Sequence, residues 1–174
     1  VTLSDYDPVT DFLPSGSFDL IGITVHSFAV PTVAKLMKTL PGRYPSARLI
    51  AGGHHASAFP DQVLSLGFDQ VVTGPGEEAL VRIIRGDRAP RIDGLFLTDI
   101  DSIPFPDYTG LGGTWTLPLA EGGKALPIIS SRGCPFHCRF CASADFWKRR
   151  WFSRSADNVI AEIRYRLRSG QMDS

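Results

Sequence analysis

Phe18-Asp-Leu-Ile-Gly-Ile-Thr-Val25 is a short and almost continuous apolar run. Such a run is typical of a strand that is buried on both faces of a parallel sheet. The apolar residues that follow recur at helical spacing, in a segment that begins at Pro31 and ends before Pro41 and Gly42. Proline is favoured in the first turn of a helix, and a Pro-Gly pair favours a turn. The run therefore predicts the first strand of a strand–helix unit.

The same alternation continues along the chain. We expect strands over residues 47–51 and 68–72, with a helix over residues 59–66 between them. A further helix is predicted after Gly76, where Glu77 would lie in the positive first turn. The predicted buried stripe of this helix is Leu80, Ile83 and Ile84. Short glycine-rich turns connect the segments, so this order predicts an α/β fold with a doubly wound parallel sheet.

The carboxyl ends of the three predicted strands carry small, polar or glycine-rich segments. These segments are Thr24-Val-His26-Ser27, Gly52-Gly-His-His55 and Thr73-Gly-Pro-Gly76. In open parallel sheets, ligands bind at the carboxyl ends of the strands. In an extended chain His54 and His55 would point to opposite sides, so only one of them could face a ligand. The sequence is compatible both with a site for a flat cofactor at this edge and with a set of ordinary tight turns.

All three cysteines of the chain lie in one segment, Cys134-Pro-Phe-His-Cys138-Arg-Phe-Cys141, with C-x3-C-x2-C spacing. Thiolates are soft ligands that bind iron–sulfur clusters, zinc or copper(I). Three cysteines on one short loop suit a cubane cluster, because they would hold three irons and leave the fourth open. The alternative is a zinc ion with His137 as the fourth ligand, although His137 and Cys138 are adjacent and make a tetrahedral site hard to close.

This segment resembles the signature of the radical S-adenosylmethionine (radical SAM) enzymes. The similarity includes the aromatic Phe140 before the last cysteine and the Arg-Gly-Cys-Pro-Phe sequence around the first. The resemblance implies that Cys134, Cys138 and Cys141 ligate a 4Fe-4S cluster. It also implies that S-adenosylmethionine chelates the fourth iron and is cleaved by one electron to a 5′-deoxyadenosyl radical. Phe140 would pack near the adenine or present its backbone to it.

Residues 1–97 are similar to the cobalamin-binding domain that precedes the barrel in one large class of radical SAM enzymes. The similarity lies in a Gly-Gly-x-His segment that ends at His55 and in a Gly-x-Gly-Glu turn that ends at Glu77. Thr24 and His26 stand where cobalamin binders carry Ser-x-Leu, and both differ from it. The Asp-x-His-x-x-Gly segment of other cobalamin proteins is not in this sequence. The cofactor-binding residues that the resemblance implies are Thr24, His26, Gly52, Gly53, His55, Gly74, Gly76 and Glu77.

The resemblance divides the chain into three parts. Residues 1–97 would form a cobalamin-binding-like Rossmann domain, and residues 98–125 a linker, of which residues 110–123 with Trp115 would be mobile. Residues 126–174 would begin a radical SAM domain, as the first β/α unit of a partial (β/α) barrel. We expect the chain to be truncated at both ends, without the first strand and helix of the sheet and without most of the barrel, and therefore to be inactive as it stands.

Two elements and a basic run are predicted in the last part. Residues 126–130 would form a strand that leads into the cysteines, and Ser155 would cap a helix in which Glu162 and Arg166 pair at i, i+4. The predicted apolar face of this helix is Val159, Ile160, Ile163 and Leu167. Basic residues 148–150 lie between tryptophans, a pattern that can bind nucleic acid. Because the net charge is zero, we favour a solvated face or a patch against the anionic groups of the cofactors.

Composition sets further limits on function. Hydrophobic residues make up 43% and charged residues 21% of the 174 residues, as in globular proteins. The 18 basic and 18 acidic residues balance, so no global field draws the protein to nucleic acid or to a membrane surface. No apolar run approaches the ~20 residues that span a bilayer, and a secretory signal is not expected. Because the predicted cluster is oxygen-sensitive, we expect a cytoplasmic protein.

The leading hypothesis is the N-terminal portion of a cobalamin-dependent radical SAM enzyme, acting as a methyltransferase or in a cyclisation or rearrangement. Its partners would be a small-molecule substrate and an electron donor such as flavodoxin or ferredoxin. No motif indicates a catalytic residue. One alternative is a corrinoid- or partner-binding module with a structural zinc on the cysteine segment. Another keeps the radical enzyme but treats the sheet domain as a vestigial or substrate-recognition unit.

Overall fold

The computed structural model describes residues 13–107, 117–118, 124–125 and 127–169. The first part of the chain forms a parallel sheet with the strand order β1-β2-β3-β4. The strands are β1 (Leu20–Thr24), β2 (Arg48–Gly52), β3 (Gln70–Thr73) and β4 (Arg91–Asp93). Parallel neighbours need a crossover between them, and each crossover here contains helix. The sheet and its helices fit the predicted α/β, Rossmann-like fold.

The crossovers contain short helices. The first holds a 3-10 turn (Ser27–Ala29), α1 (Val30–Leu36) and α2 (Leu40–Arg43). The second holds α3 (His54–Ala58) and α4 (Pro60–Ser65), and the third holds α5 (Glu77–Ile84). A proline occupies one of the first two positions of α1, α2 and α4. At these positions the backbone N–H has no partner within the helix, so proline breaks no hydrogen bond there.

The structure differs from the sequence prediction in two of these helices. The single helix predicted to end before Pro41 is two helices, and Pro41 lies in the first turn of α2. In α5 the buried residues are Ala79 and Ile83, whereas Leu80 and Ile84 of the predicted stripe are 41% and 73% exposed. The prediction for Leu80 and Ile84 is therefore wrong. The small side chain of Ala79 faces the sheet and allows the helix to approach it closely.

Buried side chains pack on both faces of the sheet. Successive residues of a strand point to opposite faces. Accordingly, Ala51 of β2 and Val71 of β3 pack in one cluster, and their neighbours Ile50 and Val72 pack in the other. The first cluster also contains Val33, Leu36 and Val63 from α1 and α4, and the second contains Ala79 and Ile83 from α5. Helices thus cover both faces, as in a doubly wound sheet.

The last part of the chain contains two short antiparallel pairs. They are β5 (Leu117–Pro118) with β6 (Lys124–Ala125), and β7 (Ser131–Gly133) with β8 (Trp151–Ser153). Helix α6 (Ser143–Phe146) follows β7, and helix α7 (Ala156–Arg168) follows β8. The strand that leads into the cysteines begins at Ser131, and residues 127–130 of the predicted strand have no regular structure. The predicted barrel unit stays a prediction.

The predicted mobile linker falls largely outside the described residues, together with Trp115. The three predicted domain boundaries stay predictions. Before the undescribed stretch, residues 99–107 contact the last part of the chain, because the Asp101 carboxylate accepts a hydrogen bond from Ser155 N–H at 3.0 Å. Within the described ranges, none of the helices combines the length and the apolar character that a membrane span requires.

Helix α7 begins as the sequence predicts. The hydroxyl of Ser155 accepts a hydrogen bond from Asn158 N–H at 3.1 Å, which satisfies one of the free donors of the first turn. The predicted apolar face is only partly correct, because Ile160 and Leu167 are 43% and 45% exposed. Charged side chains are buried on this helix instead.

The buried charges form a three-residue network. Glu162 makes ion pairs with Arg166, one turn later in α7, and with Arg154, which lies before the helix. The predicted i, i+4 pair is confirmed, and both of its side chains are only 1% exposed. Burial raises the pKa of Glu162, but the hydrogen bonds and positive charges of Arg154 and Arg166 outweigh it, so the pKa is lowered overall from 4.5.

We predict that Glu162→Gln lowers the free energy of unfolding by about 3 kcal/mol at pH 7, because the buried Arg166 loses its ion pair with Glu162. A group with a lowered folded-state pKa stabilises the fold above its unfolded pKa, and this stabilisation is lost as the pH falls through the folded pKa. The difference in the free energy of unfolding between wild type and variant should therefore become smaller below pH 4.5. Urea denaturation at several pH values measures both effects.

The matched control is Glu78→Gln, since Glu78 and Arg82 form an i, i+4 pair that is 31% and 43% exposed. Exposed pairs of this kind contribute about 0.3–0.5 kcal/mol. Equal losses of stability in the two variants would contradict a stabilising role of the buried network.

Candidate functional site

The carboxyl ends of β1 and β2 meet in a close-packed corner of the sheet. Thr24 is in register with Gly52, and Val25 N–H donates to the Gly52 carbonyl at 2.8 Å. Gly53 has a φ of +97°, and a Cβ atom there would lie 2.9 Å from Cγ2 of Thr24. Both the backbone conformation and the available space therefore exclude a side chain at residue 53.

Ser57 connects this corner to the turn after β3. Its hydroxyl donates to the Gly53 carbonyl at 2.8 Å and accepts from Gly74 N–H at 2.9 Å. Gly74 also has a positive φ, of +76°. The space in front of Gly52 and Gly76 is open, since a Cβ at either would meet no atom within 4 Å. The predicted residues Thr24, Gly52, Gly53, Gly74 and Gly76 thus lie on one rim, which we call the glycine edge.

The two adjacent histidines differ in burial. Helix α3 begins at His54, so the expectation that this pair lies in an extended chain is wrong. His55 is 7% exposed, and its two ring nitrogens lie 3.0 Å from Ser27 Oγ and 3.2 Å from Gln62 Oε1. His54 is exposed and stacks on the exposed His26. Both ring nitrogens of His55 therefore have protein partners, and its side chain is buried behind the glycine edge. His54 and His26 lie at the surface of the edge.

A row of four rings crosses the surface of the edge. Phe28 stacks on His26 at a centroid distance of 5.6 Å, and His26 lies 6.2 Å from His54. His54 in turn stacks on Phe146 at 4.4 Å. Phe146 belongs to α6, which comes after the three cysteines in the chain. The row therefore brings the segment that follows the cysteines against the start of α3.

The cysteines lie on residues 134–141, which we call the cysteine loop. It follows β7 directly and contains no helix or strand. Cys134 and Cys141 are half-buried, Cys138 is exposed, and all three are free thiols. Cys141 N–H donates to the Cys138 carbonyl at 3.1 Å. Phe140 is 92% exposed.

The three thiols lie on one loop, but they do not converge on a common point. Within the described residues, no group of three His, Cys, Asp or Glu side chains is arranged so that it could hold a metal ion. The donors nevertheless fit an iron–sulfur cluster in kind, because they are three accessible thiols on one short segment. Ligand loops commonly take their final geometry only when the metal binds. His137, the fourth ligand of the zinc alternative, is exposed on the same loop.

Arg132 joins the start of the cysteine loop to the glycine edge. Its guanidinium makes an ion pair with the carboxylate of Glu77, the first residue of α5. Glu77 directly follows Gly76, and Arg132 lies two residues before Cys134. The predicted cofactor residue Glu77 is therefore engaged with the segment that carries the cysteines. The pair lies in a narrow crevice whose walls include Pro75, Leu97, Ile100, Ile103 and Trp147.

A sharp turn between α6 and β8 supports the other side of this segment. Lys148 and Arg149 have φ values of +54° and +56°, which are strained for residues other than glycine. The Arg150 carbonyl packs on Gly133, where a Cβ atom would come within 2.1 Å of its oxygen. Residues 148–150, all exposed, are called the basic turn. It fixes β7, and with it the start of the cysteine loop.

Comparison with known proteins supports the B12-binding class for the first part of the chain. Residues 5–84 match a protein-family model described as "B12 binding domain". This range contains β1, β2, β3 and every residue of the glycine edge.

Three curated relatives extend the similarity beyond that range. An uncharacterized methyltransferase of Pyrococcus horikoshii is 29% identical over an alignment of 173 residues, which covers 83% of this chain and 36% of the relative. The anaerobic magnesium-protoporphyrin IX monomethyl ester cyclase of Cereibacter sphaeroides is 28% identical, over 83% of this chain and 27% of the length of the cyclase. The hopanoid C-3 methylase of Methylococcus capsulatus is 29% identical, over 78% of this chain and 30% of the length of the methylase. The chain thus spans about a third of the length of these relatives.

Sequence reasoning missed three residues that organise the site. Ser57 carries no signal beyond its place after a histidine, and Phe146 carries none at all. Arg132 belongs to the cysteine motif, but the motif does not say that its partner is Glu77, 55 residues earlier in the chain. Such contacts depend on the tertiary structure and have no counterpart in local spacing.

We predict that Gly133→Ala loosens the basic turn. Gly133 has a φ of +87°, and its new methyl group would overlap the Arg150 carbonyl oxygen. Strain of this kind costs about 1–3 kcal/mol, so trypsin should cleave after Lys148 or Arg149 at least ~5 times faster than in wild type. Cleavage is followed by mass spectrometry of the intact chain.

Gly42→Ala is the control for this substitution, because Gly42 lies in α2 and a Cβ there would meet no atom within 4 Å. Equal cleavage rates in Gly133→Ala and Gly42→Ala would show that the contact with Arg150 does not hold the turn.

Proposed function

We propose that this chain is the cofactor-binding part of an iron–sulfur radical SAM enzyme that depends on cobalamin. The observation that carries the proposal is the ion pair between Glu77 and Arg132, which joins the glycine edge to the cysteine loop. Reaction between groups held on two different segments requires that the segments lie side by side. The match of residues 5–84 to the B12 binding domain supports the corrinoid half of the proposal.

On the cysteine loop, the thiolates of Cys134, Cys138 and Cys141 would ligate a 4Fe-4S cluster, and the exposed ring of Phe140 would pack on the adenine of S-adenosylmethionine. When bound, the cluster and S-adenosylmethionine supply a one-electron cleavage that yields a 5′-deoxyadenosyl radical.

On the glycine edge, the open backbone at Gly52 and Gly76 would let a corrin ring approach closely. The hydroxyl of Thr24 and the imidazole of His26 are exposed at the same rim and would hydrogen-bond the amide side chains of the ring. Ser57 keeps the two glycine turns at a fixed separation by its two hydrogen bonds. The backbone of the edge would thus be preorganised for a large flat ligand.

We infer methyl transfer to a small-molecule substrate as the reaction, because two of the three relatives are named as a methyltransferase or a methylase. The cyclase among them keeps cyclisation as the alternative. An electron donor such as flavodoxin or ferredoxin would be acidic and would approach the basic turn. An oxygen-sensitive cluster favours the cytoplasm as the compartment.

We predict that the wild-type chain, reconstituted anaerobically with iron and sulfide, binds about four irons and absorbs near ~400 nm. Cys138→Ala should lose both properties, because two thiolates would remain for the cluster. Ser143→Ala is the control, since it removes a hydroxyl just after the loop and no thiol. Iron and sulfide assays with an absorption spectrum measure the outcome. One zinc per chain without a visible band would instead favour a binding module with a structural zinc.

We also predict that Gly76→Leu abolishes binding of hydroxocobalamin. The new side chain would enter the open space in front of the edge, and residue 76 has an ordinary φ of -96°, so the fold should be unaffected. Gly42→Leu is the matched control, because residue 42 is equally open but lies away from the edge, in α2. Equilibrium dialysis with absorption detection measures binding. If wild type retains no hydroxocobalamin, the sheet domain has another role in the radical enzyme.

A further inference from the structure

The cysteine loop is attached to the glycine edge on both of its flanks. Before the loop, Arg132 makes its ion pair with Glu77, which follows the glycine turn after β3. After the loop, Phe146 stacks on His54, which follows the glycine turn after β2. The residue that follows each glycine turn thus contacts one flank of the cysteine loop. We call these two contacts the front anchor (Glu77–Arg132) and the rear anchor (His54–Phe146).

The front anchor is partly shielded from water. The side chains of Arg132 and Glu77 are 25% and 34% exposed, and the walls of their crevice are mainly apolar. A fully exposed ion pair contributes little, because water screens it and its side chains lose entropy. Partial removal of water strengthens the attraction between the two charges. Glu77 also lies in the first turn of α5, where the helix dipole attracts a negative charge.

Both sides of the front anchor are rigid. The turn before Glu77 packs on the next loop without space for a side chain, since a Cβ at Gly94 would lie 1.7 Å from the Pro75 carbonyl oxygen. On the other side, Gly133 packs directly on the Arg150 carbonyl. The backbone on each side of the ion pair is therefore held by close packing, and the side chains of Glu77 and Arg132 form the link between the two sides.

We propose that the two anchors couple the glycine edge energetically to the cysteine loop, so that a corrinoid bound at the edge orders the loop. This inference rests on the proposed function, because it takes a corrinoid as the ligand of the edge. In it, Glu77 is a positioning residue for the cysteines and not a direct cofactor contact. Coupling between two sites is reciprocal, so a cluster on the loop tightens corrinoid binding by the same factor.

Hydrogen exchange of the loop, measured by mass spectrometry, tests the coupling without any reaction. The sample is the full chain under thiol reductant and without iron, with and without saturating hydroxocobalamin. Coupling free energies of the usual size change an opening equilibrium about 5- to 150-fold. We expect hydroxocobalamin to slow exchange of a peptide covering residues 131–141 at least about fivefold in wild type.

Two variants with matched controls assign this effect to the anchors. Glu77→Gln should bind hydroxocobalamin but lose the protection of the loop, whereas Glu78→Gln, whose residue pairs with Arg82, should keep it. Phe146→Ala should reduce the protection, whereas Phe136→Ala, which removes a ring that is 70% exposed, should not. Circular dichroism confirms that each variant is folded. If one of the two variants fails to fold, the other still tests the inference.

The outcomes separate this inference from the proposed function. If hydroxocobalamin binds to wild type and the exchange of the loop does not change, the coupling is refuted and the corrinoid site stands. If Glu77→Gln loses hydroxocobalamin binding, Glu77 contacts the cofactor directly and the coupling role is refuted as well. If wild type binds no hydroxocobalamin, the proposed corrinoid function fails and the inference fails with it.

Discussion

The structure depends on direct backbone contact at the carboxyl edge of the sheet. A Cβ at Gly53 would press on Thr24, and a Cβ at Gly94 would overlap the Pro75 carbonyl. Because no side chains intervene, the crossover turns pack on one another, and the single hydroxyl of Ser57 can span two of them. Helices α3 and α5 begin at these turns, so their directions are set there. An edge built of backbone also leaves open space in front of Gly52 and Gly76, which is what a large flat ligand requires.

The order of strands and helices could be predicted because it depends on local apolar patterning. The orientation of individual side chains could not. The alternation rule would put His54 and His55 on opposite sides of a strand, but the positive φ of Gly53 starts a helix at His54 and puts His55 behind the edge. In α7, helical spacing predicts the pair of Glu162 with Arg166 but not its burial, which Arg154 from outside the helix makes tolerable. Neither the close contact of Gly53 with Thr24 nor the approach of Arg154 to Glu162 follows from apolar spacing.

The candidate site also has a part that could be predicted from local sequence and a part that could not. The cysteine spacing is a local property, so Cys134, Cys138 and Cys141 could be singled out from the sequence, and their role as ligands stays a prediction. The glycine turns could be placed at one edge, because the carboxyl ends of parallel strands meet there. That the cysteine loop lies against this edge could not be predicted, since it depends on Arg132 and Phe146 reaching partners at least 55 residues earlier.

The chemistry of the two anchors explains how they divide their roles. Stacked rings and apolar walls attract without strong directional preference, so the rear anchor alone would permit the loop to slide along the edge. An ion pair in a crevice that is partly shielded from water has few acceptable geometries, and a partner lost from it leaves an unpaired charge. The front anchor therefore defines where Cys134 lies relative to Gly76, and the apolar contacts supply much of the attraction. A polar pair at this position gives a defined alignment, which an apolar substitute of equal stability would not give.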